Sequence, residues 1–344
     1  MTTSAPILLA IESSCDDTAV AVLRGFEVLS NIVHSQVLHD PFGGVVPELA
    51  SRAHMEALAP TVNFALSKAK VPWSDITAIA VTQGPGLLGS LLVGHSFAKS
   101  LSISLGVPLI NVHHMEAHML AHFLIEKSVQ EAPIPDFPYI CLTVSGGHTQ
   151  LVIVRDWNVF DLLGETQDDA VGEAFDKAAK LLSLGYPGGP MIDRHATKGV
   201  ARFSFSEPKM PPMQFSYSGL KTSILRSMQD EVKRNPNTLT EDLPDWCASI
   251  QQAMIRPLIN GLREAIDQSG IQQIAIAGGV SANRLLRAQV TALGQELQLA
   301  VYLPPLSYTT DNAAMIGAAG AFAFQHKRFG QVSDAAKAKW NKYE

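Results

Sequence analysis

The chain runs through the same order of parts twice. Residues 7–11 form an apolar strand, Glu12-Ser13-Ser14-Cys15-Asp16-Asp17 a small polar turn, and 18–23 a returning strand. The order recurs at 139–144, Ser145-Gly146-Gly147-His148 and 149–154. Each reads as a β-hairpin. In a second pair, strand 76–81 leads through Gln83-Gly84-Pro85-Gly86 to a helix from about Leu88, and strand 274–277 leads through Gly278-Gly279-Val280-Ser281 to a helix from about Ala282. In a third, strand 107–112 leads into a histidine-bearing helix, and strand 299–303 leads through Thr309-Thr310-Asp311-Asn312 to a small-residue helix over 313–324. Spaced by about half the chain, this weak self-similarity points to a duplicated α/β architecture, two lobes that could face each other around a central cleft.

Boundaries follow from composition. One lobe is expected over 1–132 and a second over 137–326, joined by the Pro-containing linker 131–136 and followed by a tail over 327–344. An insertion is expected near 185–243, where 198–215 is rich in Pro and polar residues. Helices are expected over 47–70, with Pro60 placed to kink or split it, and around the stripe Trp246, Ile250, Met254, Leu258, Leu262, Ile266, with a kink at Pro257.

With 344 residues, 47% of them hydrophobic and 17% charged, the chain can bury a large core. Cys15, Cys141 and Cys247 form no CxxC pair, and an odd number argues against a disulfide framework, so a reducing, cytoplasmic setting is expected. No run approaches the roughly 18–20 apolar residues of a membrane span, and residues 1–10 have no basic start of a secretory signal. A net charge of −6 argues against a stand-alone nucleic-acid binder. The mid-chain cations Lys177, Lys180, Lys198, Arg202, Lys209, Lys221 and Arg226 read better as a solvated surface than as a basic strip.

The chemistry concentrates at His113-His114-Met115-Glu116-Ala117-His118. His114 and His118 share one helix face, a turn apart, and both imidazoles could reach one divalent ion. A zinc protease needs Glu directly after its first His, and Met115 stands there. Helix histidines satisfied by backbone or carboxylates are the competing reading. His122 extends the series and could be a ligand or a surface residue. If the halves face each other, Asp311 from the second would complete a two-histidine, one-carboxylate set; taken locally, it reads as a helix N-cap. The turns at Ser145-Gly146-Gly147 and Gly278-Gly279 suit an anion, because a backbone without Cβ atoms allows close approach. Packing alone could also require those glycines. Asp169, Glu173 and Asp176 are expected on one helix face, as a ribose or magnesium site or as a solvated face with a Glu173–Lys177 pair. Tyr186-Pro187-Gly188-Gly189-Pro190 reads as a rigid turn, and Asn283 as a helix cap or an adenine contact.

Taken together, Ile11 to Thr18, Gly43 to Arg52, Gln83-Gly84-Pro85-Gly86, the histidine segment, Ser145 to Thr149, Gly172 to Lys177, Tyr186 to Pro190, Phe215 to Lys221 and Gly278 to Asn283 closely resemble the bacterial tRNA threonylcarbamoyladenosine transferase family. The resemblance runs from about Ile7 to Gly320. It implies the duplicated fold of actin, a heat-shock chaperone ATPase and sugar kinases. It implies transfer of threonylcarbamoyl from threonylcarbamoyl-AMP to the N6 amine of the adenosine 3′ of the anticodon, in tRNAs reading ANN codons, with release of AMP. By position it makes His114, His118 and Asp311 ligands of one divalent ion per subunit, Fe2+ or Zn2+, with Mg2+ as a companion of the nucleotide. It places Thr143, Val144, Ser145, Gly146, Gly147, Asp176, Gly189, Asp193 and Asn283 on the adenylate. Glu12 and Asp16 are the candidate general bases. Implied partners are tRNA, a degenerate paralogue subunit and a small ATPase, whose surfaces would help an acidic chain handle RNA; no membrane is implied. The chain departs from the family at Asp17, where Glu is common, and at Val171, where Ala is common; Asp17 is given no catalytic role. On the same fold, a small-molecule carbamoyltransferase or an ATP-dependent kinase is the alternative; a nucleotide-sensing scaffold without catalysis is a weaker one.

Overall fold

The computed structural model describes residues 5–36, 39, 42, 44–126 and 133–340. Residues 1–4, Gly43, Glu131 and Ala132 of the linker, and the last four residues of the tail lie outside the described residues. The chain divides into two compact units, Met1–Ile134 with Thr310–Glu344, and Pro135–Thr309.

In the first unit, β1 (Ile7–Glu12), β2 (Asp17–Arg24) and β3 (Glu27–Ser35) precede α1 (Pro47–Ala69), β4 (Ala78–Gly84), α2 (Leu88–Leu105), β5 (Leu109–His113) and α3 (His114–Leu120). The second contains β6 (Tyr139–Val144), β7 (Thr149–Asp156), β8 (Val159–Glu165), α4 (Val171–Leu181), α5 (Gly188–Ala196), α6 (Ser218–Arg234), α7 (Thr238–Glu241), α8 (Leu243–Ser269), β9 (Gln273–Ala277), α9 (Arg284–Leu297) and β10 (Ala300–Tyr302). The chain closes with α10 (Ala313–Gln325).

The two sheets have the orders β3-β2-β1-β4-β5 and β8-β7-β6-β9-β10. In each, the first strand pairs antiparallel with the second and parallel with the fourth. The expected duplication is therefore a duplication of topology. The lead strands β1 and β6 are apolar on both faces because both faces are buried. β3 and β8 were not expected. They are edge strands, largely half-exposed and mixed in polarity, so they carry no clean alternation.

α1 has Pro47 in its first turn and closes at Lys70 in the left-handed region (φ 56°). Pro60 does not split it, and Pro257 stays inside the 27-residue α8. α9 begins at Arg284 rather than near Ala282, because Gly279–Ala282 is a 3-10 turn and Asn283 is the cap. The stretch 201–216 has almost no regular structure, while α5, α6 and α7 lie within the expected insertion.

The C-terminal segment departs from expectation. Residues 310–326, read as part of the second lobe, belong with the first unit. The cause is the small-residue face of α10. A methyl group at Gly317 would overlap the Leu23 side chain, and one at Gly320 would stand 2.8 Å from the Ala80 Cβ. Glycine at both positions lets the helix approach the first sheet closely. The Ala314 N–H donates to Asn31 Oδ1 on β3 (3.3 Å) and fixes its start. Among the described residues, no helix is long and apolar enough to cross a membrane.

Candidate metal centre and glycine turns

α3 starts where β5 ends, and all seven of its residues are buried. His113 caps it: its side chain accepts from the Glu116 N–H (3.4 Å). The i, i+4 spacing then brings the rings of His114 and His118 together, edge to face, with centroids 4.8 Å apart. Asp311 enters from the segment before α10. Asn312, not Asp311, caps that helix by accepting from the Met315 N–H (3.0 Å). The Asp311 carboxylate is left for the imidazoles: Oδ1 lies 3.2 Å from His118 Nε2 and 3.4 Å from His114 Nε2. One donor atom from each of the three residues lies within 4.8 Å of the others. All three belong to the first unit, so the carboxylate does not come from a mirror copy in the second, as the repeat suggested. His122, a buried neighbour, is not in this set.

Electrostatics hold the group together. Burial lowers the His114 imidazolium, but Asp311 and Glu12 outweigh it and lift it to about 10. Burial opposes ionisation of Asp311, yet His114 and His118 keep its carboxyl well below the usual carboxylate range. Burial pushes His118 down, and its Nδ1 is buried without a hydrogen-bond partner among the described residues. Two imidazoles and one carboxylate are the nitrogen and oxygen donors that suit Zn2+ or Fe2+. The residues therefore form a group that could hold a metal ion.

Glu12 was a candidate base, but the structure places it behind His114. It is fully buried and accepts from His114 Nδ1 (3.1 Å), the Ser14 N–H and the Thr82 hydroxyl. A carboxylate on the far ring nitrogen orients the ring and holds the Nδ1 proton, so that Nε2 would be the ligand atom once an ion displaced its proton. Ser14 Oγ, 3.3 Å from the same Nδ1, adds a contact that sequence reading missed. No local pattern could reveal it, since the partners are 100 residues apart. Asp16 is half-buried in the turn after β1.

The residues that the resemblance put on the adenylate all lie in the second unit, and most are linked. Ser145-Gly146-Gly147-His148 closes the β6–β7 hairpin, with the Ser145 N–H donating to the His148 carbonyl (2.8 Å). The Gly172 N–H donates to the Ser145 carbonyl (3.3 Å) and seats α4 against the turn. Asp176 on α4 accepts from the Gly188 N–H at the start of α5 (2.7 Å); burial raises its carboxyl, opposed by the Gly188 and Gly189 amides. Asp193 on α5 pairs with Arg284 (2.7 Å), beside Asn283. Asn283 accepts from the Leu286 N–H (3.0 Å) as a cap and donates to Gln251 (3.2 Å).

The glycines separate into two kinds. A Cβ at Gly278 would overlap the Val144 carbonyl and one at Gly172 the Ser145 carbonyl, so packing requires both. A Cβ at Gly146 or Gly147 meets nothing within 4 Å.

One other expectation changes. Asp169 is not on the acidic helix, because α4 begins only at Val171. The expected Glu173–Lys177 pair is present (2.8 Å), and Asp169 joins it on Lys177 (2.7 Å). Arg202 is likewise paired, with Asp242 and Asp245, which agrees with an ordinary surface for part of the mid-chain cations. The three cysteines are free thiols.

A family model described as tRNA N6-adenosine threonylcarbamoyltransferase matches residues 27–318. A protein of that name from Christiangramia forsetii is 51% identical over 334 residues, covering 97% of each chain. One from Riemerella anatipestifer is 47% identical over 335 residues, again covering 97% of each. Among solved structures, full-length HypF in its phosphate- and nucleotide-bound form is similar with a TM-score of 0.59 at 12% identity, over 96% of this chain and 48% of that one. The chain spans about half the length of that protein, and the likeness is one of fold. The chain belongs to the tRNA N6-adenosine threonylcarbamoyltransferase family.

Proposed function

We propose that this chain transfers the threonylcarbamoyl group of threonylcarbamoyl-AMP to the N6 amine of the adenosine 3′ of the anticodon in tRNAs reading ANN codons. The observation that carries the reading is the family match over 27–318 together with the convergence of His114, His118 and Asp311 inside that region. In the reaction the N6 nitrogen bonds to the carbamoyl carbon, the bond from that carbon to the phosphate oxygen breaks, N6 gives up a proton, and AMP departs with the bonding electrons. The amine is a weak nucleophile, so much of the acceleration must come from orientation.

His114, His118 and Asp311 would hold the divalent ion, Fe2+ or Zn2+, which supplies Lewis acidity toward an oxygen when bound. Glu12 serves as a positioning residue, because its carboxylate is committed to His114, Thr82 and the Ser14 amide. Asp16 then remains the candidate base. In the second unit, the open backbone of Gly146 and Gly147 would receive the adenylate phosphate and stabilise its charge on departure. Asp176, Gly189, Asp193 and Asn283 would line the nucleoside side, where Mg2+ would accompany the nucleotide. The net charge of −6 fits a chain that handles tRNA in the cytoplasm together with a paralogue subunit and a small ATPase.

The test is reconstitution. Purified chain, partner proteins, threonylcarbamoyl-AMP and unmodified tRNA should yield threonylcarbamoyl-adenosine by mass spectrometry of the digested RNA. Metal-loaded wild-type chain that binds the adenylate but leaves the tRNA unmodified would contradict the reading.

A further inference from the structure

The segment over 330–340, after α10, is bound along its length. The Gly330 N–H donates to the Leu109 carbonyl (2.8 Å). Asp334 accepts from Asn111 Nδ2 (2.7 Å) on β5 and from the Gln331 N–H (2.8 Å), while its carbonyl accepts from Lys99. Gln83, at the end of β4, is held twice. Its side chain donates to the Ala335 carbonyl (2.8 Å) and its own carbonyl accepts from the Lys337 N–H (2.8 Å). The Gly86 N–H donates to the Ala338 carbonyl (3.1 Å). A Cβ at Gly84 would overlap the Lys337 carbonyl, so the Gln83-Gly84-Pro85-Gly86 turn is shaped to receive this strap.

The strap ends on His113. The Trp340 ring packs edge-on against the His113 imidazole, with centroids 4.8 Å apart, and Lys337 Nζ sits 4.4 Å from the centre of the Trp340 ring. The Trp340 carbonyl lies 3.1 Å from His113 Nε2. A carbonyl can only accept, so Nε2 carries the proton. The Glu116 N–H can only donate, so Nδ1 must be the bare nitrogen. One contact therefore selects the tautomer that the other needs. The other tautomer would turn an N–H toward the Glu116 N–H and undo the cap of the helix carrying His114 and His118.

We propose that the strap over 330–340 is a positioning element of the metal centre: by seating Trp340 on His113 it fixes the start of α3, so that strap docking and metal binding favour each other. Asp334 is the anchor of the strap and Trp340 its contact with the site; neither touches a ligand residue. This rests on the reading of His114, His118 and Asp311 as a metal group.

The test uses the full-length chain and Co2+, whose visible absorption reports ligand geometry. Asp334→Ala should weaken Co2+ binding roughly 10-fold, as loss of an outer-shell support does, and should alter the Co2+ spectrum. Asp334→Asn, which keeps an acceptor for Asn111, should restore both. Trp340→Ala, which leaves Asp334 in place, should shift the spectrum in the same direction. If the wild type gives no Co2+ spectrum, the metal reading itself fails. If the wild type binds, and both Ala variants bind with wild-type affinity and spectrum while limited proteolysis shows the strap released, the coupling is overturned.

Discussion

The two units share one strand order yet treat the turn after their lead strand in opposite ways. In the first, the polar turn after β1 is closed: Glu12 is buried under three hydrogen bonds, and a Cβ on Gly86 or Gly94 would overlap Ser14 or Ser13. Its second turn, at 83–86, is covered by the strap. In the second unit, Gly146 and Gly147 leave their turn open. A duplicated fold thus offers two copies of a turn, and this chain has packed one around a histidine pair and left the other accessible. Topology alone could not tell them apart.

The largest expected effects come from the histidine pair beside the closed turn and its carboxylate. His114→Ala or Asp311→Ala should lower metal content and transfer rate by at least ~100-fold, more than loss of an outer-shell partner. Elemental analysis beside the tRNA assay checks both; unchanged metal content would break the comparison. Next comes the open turn. Gly146→Val should weaken threonylcarbamoyl-AMP binding by about 10- to 100-fold in calorimetry with little change in melting temperature, since the turn has room for a side chain. Gly278→Ala should do the reverse in kind, destabilising the fold by ~1–3 kcal/mol through overlap with the Val144 carbonyl and its positive φ of 85°. If Gly146→Val also lowers the melting temperature strongly, the contrast between the turns is lost. Glu12→Gln should reduce metal affinity by about 10-fold while the three ligands remain.

The smallest effect is a pH slope. Burial, with Asp16 and Asp311 nearby, pushes the Asp17 carboxyl up to about 6, against a hydrogen bond from Ser35. A raised acid favours the fold while protonated. That contribution is full below the ordinary value of 3.8 and is lost as pH rises through about 6. Asp17→Asn should therefore flatten the stability profile between about pH 4 and 6, by of order 1 kcal/mol once solvent screening is allowed for. Chemical denaturation across that range reads it.

What the sequence revealed follows the physics of burial. β1, β6 and β9 are doubly buried and so spell continuous apolar runs; α2 and α10 are equally plain. The edge strands β3 and β8 were hidden because most of their residues are half-exposed with no cleanly buried face, so their sequences do not alternate. The histidine pair was visible from its i, i+4 spacing alone. Asp311 lies beside the histidines but in the first unit, not the second, because the approach of α10 to the first sheet depends on Gly317 meeting Leu23, a contact between residues almost 300 positions apart. The roles of Glu12 toward His114 and of Trp340 toward His113 were illegible for the same reason: they are contacts across more than 100 positions, and no local period encodes them.

Crystals grown with Zn2+ and measured on both sides of its absorption edge would give the decisive map. The expected anomalous peak lies about 2.0–2.2 Å from His114 Nε2, His118 Nε2 and an Asp311 carboxylate oxygen, with Glu12 still on His114 Nδ1. A fully loaded crystal whose peak sits elsewhere, with Asp311 turned away from both rings, would contradict the assignment on which the proposed chemistry depends.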